Sequence, residues 1–353
     1  MNNLQSLLAS IKRQWVWLKW PVALGLLGYL FWTHRDDVAA LRTRSIRWED
    51  LALAFVLCGG SITLTFYRWY LLVWAQEFPF KVGDALRLGF IGYLSNYVGP
   101  GAAGGDLFKA GMIAAEQTSR RGIAAATVLL DRILGMLALF LVGAFATLFQ
   151  NPSLLEHHYV RIIVAVMWGG SAAGLLGLCV MLHPAVPRSS WLNRLVKLPK
   201  VGGAIGGIVN AVILYQHRRR VVIISVAVSI VGHFGMLSSF YFCARALQLG
   251  SAAPGYWEHL LLIPGAELAA VALPLPGGVG VLEGAVQFCY GIANESAGFL
   301  VESSVAEGAG FATAVAYRVI TIVVAAIGAG YYLTARRRIA ESLHEADDGA
   351  PGK

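Results

Sequence analysis

Apolar positions in this chain come in long unbroken runs, not in the every-second or every-third-and-fourth spacing of a half-buried strand or helix. A helix crosses the hydrocarbon core of a bilayer with about 20 mostly apolar residues. Runs of about that length lie at about 15–33, 51–75, 122–149, 160–183, 221–248 and 311–334. Two more apolar stretches, about 85–115 and 257–293, are each interrupted by proline and glycine. The first break is Tyr97-Val98-Gly99-Pro100-Gly101-Ala102-Ala103-Gly104-Gly105 and the second is Leu273-Pro274-Leu275-Pro276-Gly277-Gly278-Val279-Gly280. Neither continues a regular helix, because proline lacks the amide donor and glycine is a poor helix former. The pattern predicts an all-α polytopic membrane protein with six full spans and two broken hairpins. The whole of 1–340 reads as one transmembrane domain, followed by a short polar cytoplasmic tail at 341–353.

Composition agrees with the pattern. Of 353 residues 57% are apolar and 14% charged, against about 25% charged in a soluble domain, and mean hydropathy is +0.62. These values exclude an ordinary cytosolic enzyme, a disordered chain and a disulfide-stapled secreted domain. The formal charge of +8 does not point to nucleic acid, since the basic residues sit in short loops between apolar runs, as positive-inside topology requires. The segment 188–220 carries seven Lys or Arg and no acid, Arg120-Arg121 and Arg336-Arg337-Arg338 are further basic knots, and 294–310 holds Glu295, Glu302 and Glu307 without a base. With basic loops inside, both termini are cytoplasmic. Trp191, Leu192, Leu195, Val196 and Leu198 between the charges of 188–220 read either as an amphipathic helix on the anionic leaflet or as ordinary loop charge. The run 22–32 follows Lys12, Arg13 and Lys19 but ends without a small-residue cleavage site, so it reads as a retained first span. Cys58, Cys179, Cys243 and Cys289 lie in apolar segments without metal or redox spacing.

The orientation constrains the breaks. The stretch 85–115 must enter and leave on the cytoplasmic side or cross twice, whereas 257–293 begins after an outward-going span and ends at the acidic external loop, so it enters from the opposite face. A piece such as 281–293 is too short to span but suits one arm of a re-entrant hairpin. Each stretch has an acid just beyond its break (Asp106; Glu283) and a later span with an arginine (Arg132; Arg318). Two interrupted segments of opposite orientation point to an inverted-repeat transport fold; two unrelated hairpins turning at Pro and Gly are the other reading.

Charged residues inside apolar runs carry the chemistry. Asp131 and Arg132 lie about 14 Å deep at about 1.5 Å per residue, where either costs roughly 2.5–3.5 kcal/mol. Neighbours on a helix diverge, so each needs a partner elsewhere. They read as a buried ion pair or as a site for an anionic headgroup. Arg318 either snorkels or serves the same site; for Arg68, among aromatics near a helix end, snorkelling is the favoured account. Asp106 reads as the N-cap of a helix begun through Gly104 and Gly105, with Lys109 one turn on. Free amides at such a start favour a phosphate, although an acidic cap competes for them; a capped hairpin turn is the plain alternative. Asn96 and Glu267 are expected to face a cavity, since lipid offers no hydrogen bonds, and His233 reads as a packing histidine. There is no nucleoside-triphosphate loop, no His-Glu-x-x-His pair and no nucleophile triad by spacing, and Gly278 to Gly284 is not a dinucleotide fingerprint. No catalytic residue, metal or cofactor is assigned, and the chain is expected not to be an enzyme.

The run Asn96-Tyr97-Val98-Gly99-Pro100 through Gly104-Gly105-Asp106-Leu107-Phe108-Lys109, then Leu130-Asp131-Arg132, resembles the flippase-like transmembrane family that includes the membrane half of lysylphosphatidylglycerol synthase. So does the second signature, Leu273 to Gly284 followed by Tyr317-Arg318. Members often carry Arg where this chain has Lys109, and a lysine is a point charge where arginine is a bidentate fork. The resemblance implies a bacterial inner-membrane protein that moves or presents lipids, in pathways of aminoacylated phosphatidylglycerol, hopanoids and glycolipids. As the chain closes at Lys353, it is expected to correspond to the flippase part without the synthase part. The resulting expectation is a transporter whose polar midplane cavity is lined by Asn96, Asp106, Lys109, Asp131, Arg132, Glu267, Glu283 and Arg318. Its structural breaks are Pro100, Gly104, Gly105, Pro274, Pro276, Gly277, Gly278 and Gly280. Membrane lipids are the expected partners and nucleic acid is not; oligomeric state is not set by the sequence. The alternatives are a membrane-embedded lipid-modifying transferase and a non-transporting scaffold, which would need a separate lipid-synthesis enzyme as partner.

Overall fold

The computed structural model describes residues 24–30, 32–33, 35, 45–98, 104–117, 120–185, 202–273 and 275–348. Within them the chain is helical, with no strand among the described residues. In order, the helices are α1 (Trp48–Trp74), α2 (Val82–Val98), α3 (Gly104–Glu116), α4 (Arg121–Ala146), α5 (Pro152–Glu156), α6 (His158–Leu182), α7 (Gly202–His217), α8 (Arg219–Ala246), α9 (Tyr256–Ala272), α10 (Val281–Ser296) and α11 (Ser303–Asp348).

Five described helices are long and apolar enough to cross a membrane: Trp48–Trp74, Arg121–Phe149, His158–Leu182, Arg219–Ala246 and Ser303–Thr334. They answer to five of the six expected spans. Of the first, about 15–33, residues 24–30 are helical and most of the rest lies outside the described residues. α11 runs on to Asp348, past residue 340, where the polar tail is expected to begin. Residues 188–201, with the apolar positions of the expected amphipathic helix, are not described. The part that is, α7, packs on the bundle: Ala211 and Tyr215 are buried, and the Tyr215 hydroxyl donates to the Leu72 carbonyl at 3.0 Å.

Both interrupted stretches are helical hairpins. α2 and α3 pack antiparallel, and their closest approach is at two glycines: a Cβ on Gly105 would collide with the Gly92 carbonyl. α9 and α10 likewise run antiparallel, with Cys289 against the Leu262 carbonyl and Tyr290 against His259. Their break turns through left-handed backbone, φ +57° at Gly277, +63° at Gly278 and +83° at Gly280, where a side chain would be strained. Pro100 and Pro274 lie outside the described residues. The two breaks meet, because Tyr97 at the end of α2 covers Gly277, leaving a Cβ there only 2.7 Å from the ring.

α1 and α8 form the most extensively packed helix pair, α4 lies between α8, α3 and α9, and α11 closes against α10 and α2. One apolar core (Phe66, Leu237, Phe240, Leu260, Val286, Tyr317) fills the space between α1, α8, α9, α10 and α11. A second (Trp69, Leu72, Leu88, Ile113, Val128, Tyr215) ties α1 to the first hairpin, α4 and α7. α6 lies at the edge, with 11% of its most apolar window buried.

Candidate functional site

A cavity of about 300 Å³ lies between α1, the first hairpin, α4, α8, α9 and α11. Its polar wall is a chain of five alternating charges. Arg68 Nε donates to Asp131 Oδ1 at 2.6 Å, and Asp131 Oδ2 lies 3.6 Å from Lys109 Nζ. Lys109 Nζ is also 3.0 Å from Asp106 Oδ1, and Asp106 Oδ2 accepts from Arg132 Nη1. Three helices supply it: Arg68 comes from α1, Asp131 and Arg132 from α4, and Asp106 and Lys109, one turn apart on one face, from α3. Arg68 Nη1 adds a bond to Ser229 Oγ on α8 at 2.8 Å, and Gly135 leaves room for its guanidinium, 3.1 Å from where a Cβ would sit. Lys109 also lies over the Trp69 ring at 5.3 Å.

Side-chain exposure rises steadily along this chain. It is 3% at Arg68, 4% at Asp131, 10% at Lys109, 25% at Asp106 and 35% at Arg132. The sealed end therefore lies between α1 and α8, and the open end is Arg132. Around the open end Leu107, Leu129, Ile133, Met136 and Val271 are exposed. The open end of the charged chamber is therefore rimmed by exposed apolar side chains.

Six of the residues singled out by sequence line this cavity: Asn96, Asp106, Lys109, Asp131, Arg132 and Glu267. Two do not. Glu283 is fully buried, and Arg318 donates to its carboxylate through Nε at 2.7 Å and Nη2 at 3.2 Å. Arg318 also donates to the Gly277 and Gly278 carbonyls, at 2.6 and 3.3 Å. The pair holds the second break closed instead of facing the chamber. The freed carbonyls of a glycine turn take the arginine more readily than distant solvent does, so Arg318 does not snorkel.

Two local readings are corrected. α3 begins at Gly104, which places Asp106 inside its first turn and not at the N-cap. The Gly105 amide is satisfied from outside, by Asn96 Oδ1 of α2 at 2.8 Å, leaving the Asp106 carboxylate for Arg132 and Lys109. Glu283 is also inside its helix and reaches back to accept from the Gly280 amide at 2.8 Å. Arg68 does not snorkel but is the innermost member of the ion chain. Side chains lean toward the N-terminus of their helix, which turns Arg68, near the C-terminal end of α1, into the protein; that lean was the overlooked signal.

Glu267, on α9, stands apart on the opposite wall. It makes no hydrogen bond or ion pair among the described residues. Tyr93, Tyr317 and His233 share the cavity with it, and His233 Nδ1 meets the Ser229 carbonyl at 2.9 Å. Among the described residues no group of three or more His, Cys, Asp or Glu is placed to hold a metal ion.

No curated protein and no solved structure matches the chain. The family described as the lysylphosphatidylglycerol synthase TM region matches residues 5–328, nearly the whole of the sequence. The chain therefore belongs to the lysylphosphatidylglycerol synthase transmembrane-region family, and is an integral membrane protein of lipid-related function.

Proposed function

We propose that this protein is a lipid flippase or transporter of the bacterial inner membrane, with both termini cytoplasmic, moving an anionic or modified lipid headgroup through the chamber. The observation that carries the reading is the ion chain that opens at Arg132 among exposed apolar side chains. A volume of about 300 Å³ suits a headgroup and not acyl tails, which would stay in the surrounding lipid. Three cations face two carboxylates along the chain, so the direct contacts leave one positive charge in excess. That excess favours a phosphate, and Arg132 offers it a planar fork of donors.

On this reading the α2–α3 and α9–α10 hairpins are re-entrant from opposite faces, related as an inverted repeat, and their breaks touch where Tyr97 covers Gly277. Asn96, Asp106, Lys109, Asp131, Arg132 and Glu267 contact or steer the headgroup, and Glu283 with Arg318 sets the shape of the second break. Passage proceeds by exchange of partners: a phosphate takes Arg132, Asp106 falls back on Lys109, and the halves rock around the bound headgroup.

The test is movement of short-chain fluorescent phosphatidylglycerol across proteoliposome bilayers. Wild-type protein is expected to accelerate it over protein-free vesicles, and R132A to lose most of that acceleration while still eluting as a monodisperse species. Full activity in R132A, or none in wild type, overturns the proposal.

A further inference from the structure

Five of the six ionisable acids and bases in the chamber, His233 aside, are bound to one another, and the sixth, Glu267, is bound to nothing among the described residues. We propose that Glu267 is a proton-exchanging site that couples passage of an anionic headgroup to the uptake of one proton. The inference rests on the transport reading and adds its energy source.

Charge counting carries it. With Glu267 ionised, its charge offsets the one surplus cation of the ion chain, so that it competes with a phosphate for that cation, and the chamber holds Arg68, Lys109 and Arg132 against Asp106, Asp131 and Glu267, three charges of each sign. An anionic phosphate that moves in adds one negative charge to a space walled by low-dielectric side chains, where an uncompensated charge is heavily penalised. One acid must then take a proton. Asp106 and Asp131 are each held by two cations, and protonating either would forfeit those contacts. Protonating Glu267 breaks none. Its carboxylate accepts a proton from a hydronium ion, leaving water and the neutral acid, and the loaded chamber is balanced again. When the headgroup leaves, the acid returns its proton to water.

The surroundings of Glu267 leave it free to act this way. The cations belong to the opposite wall, and the titratable groups that share its space are Cys58 and Arg68 of α1, Tyr93 of α2, Asp106 and Lys109 of α3, Asp131 and Arg132 of α4, His233 of α8 and Tyr317 of α11. His233 gives one ring nitrogen to the Ser229 carbonyl and shares the cavity with the Arg68 guanidinium, whose charge opposes a second cation there, and the tyrosines and the cysteine ionise only at alkaline pH in their ordinary state. Glu267 is thus the group whose protonation alters least of the surrounding structure. Two turns back on the same face of α9, His259 meets the Tyr290 hydroxyl at 2.8 Å, which donates to Thr313 at 3.0 Å. Thr313 in turn donates to the Ala309 carbonyl at 2.9 Å, so this polar cluster ends one turn short of Tyr317.

The experiment uses the full chain. In proteoliposomes of phosphatidylcholine with a small share of phosphatidylglycerol, an imposed gradient of one pH unit is expected to shift the transbilayer distribution of phosphatidylglycerol about tenfold toward the alkaline side, the equilibrium value for one proton per lipid. In E267Q, which keeps shape and hydrogen-bonding capacity without the proton, the distribution with and without the gradient is expected to be the same; E267D is expected to restore part of the shift. A gradient response retained in E267Q overturns the proposal. A second measurement does not depend on transport: in lipid nanodiscs the infrared carbonyl band of a protonated acid, identified by its loss in E267Q, is expected to grow when phosphatidylglycerol replaces phosphatidylcholine. A band indifferent to lipid charge overturns the coupling. Absence of lipid movement in wild type beside a lipid-sensitive band faults the transport reading and not the proton site.

Discussion

Asp131 is the residue on which the buried end of the site turns. Its two oxygens hold cations from two other helices, Arg68 on α1 and Lys109 on α3, and little solvent reaches any of the three. Removing one member of such a buried set leaves an uncompensated charge, a loss of about 3–5 kcal/mol. D131N is therefore expected to lower the thermal unfolding midpoint in detergent sharply, with Arg68 stranded between α1 and α8. R132A sits at the other end of the same chain, where about a third of the side chain is exposed. Exposed pairs contribute about 0–1 kcal/mol, so its midpoint is expected to stay near wild type even as transport falls. Similar losses of stability in the two variants would contradict the exposure gradient.

At the scale of elements, the hairpins depend on close backbone approach. Gly105 packs on the Gly92 carbonyl, and an added methyl group must push α3 away from α2. G105A is expected to cost roughly 1–3 kcal/mol, read as a lower unfolding midpoint, together with weaker lipid retention in native mass spectrometry, because Asn96, Asp106 and Lys109 move with α3. The open end of the same hairpin carries a pH signature. Burial, and next the charge of Asp84, raise the Glu116 carboxyl above its ordinary range, with Arg87 opposing. A raised acid binds its proton more tightly when folded, so stability is lost as pH climbs past the ordinary glutamate value. E116Q is expected to be more stable than wild type at pH 7 and equal to it near pH 4.

The same hairpins mark how far sequence reasoning reached. Helix breaks are local chemistry, and the clusters at 97–105 and 273–280 locate both of them from proline and glycine alone. The ion chain was half legible: a charge inside an apolar run advertises that it needs a partner, but not which one. Arg68 and Asp131 are 63 positions apart, and the bond depends on how α1 packs on α4. Asp106 misleads for a related reason. N-cap rules describe a helix by its own residues, and here a side chain of α2 supplies the cap. Arg318 and Glu283 were legible as a pair of unusual charges, but only the turn at Gly277 and Gly278 shows why they face one another and not the chamber.

For the molecule as a whole, the apolar rim of the chamber is expected to set what reaches the site. In a Cys179→Ser background, a cysteine at Ile133 or Met136 is expected to react with a lipid-soluble maleimide and to resist a charged one, since both positions belong to the apolar rim. A cysteine at Glu295, in the loop between α10 and α11, is expected to react with the charged reagent, from one side of the vesicle only. Ready reaction of the rim positions with the charged reagent would mean that the chamber faces water and not lipid.

On the transport reading, the graded ion chain is expected to make occupancy at the rim felt at the far side of the bundle. A guest that captures Arg132 releases Asp106; Asp106 then claims more of Lys109, Lys109 less of Asp131, and Asp131 is left to Arg68 alone. Arg68 is the side chain that fastens α1 to Ser229 of α8, the most extensively packed pair of helices among the described residues. Like a row of people changing hands, the acids and bases can carry news of a visitor at the door to the seam between α1 and α8 without any helix having to move first.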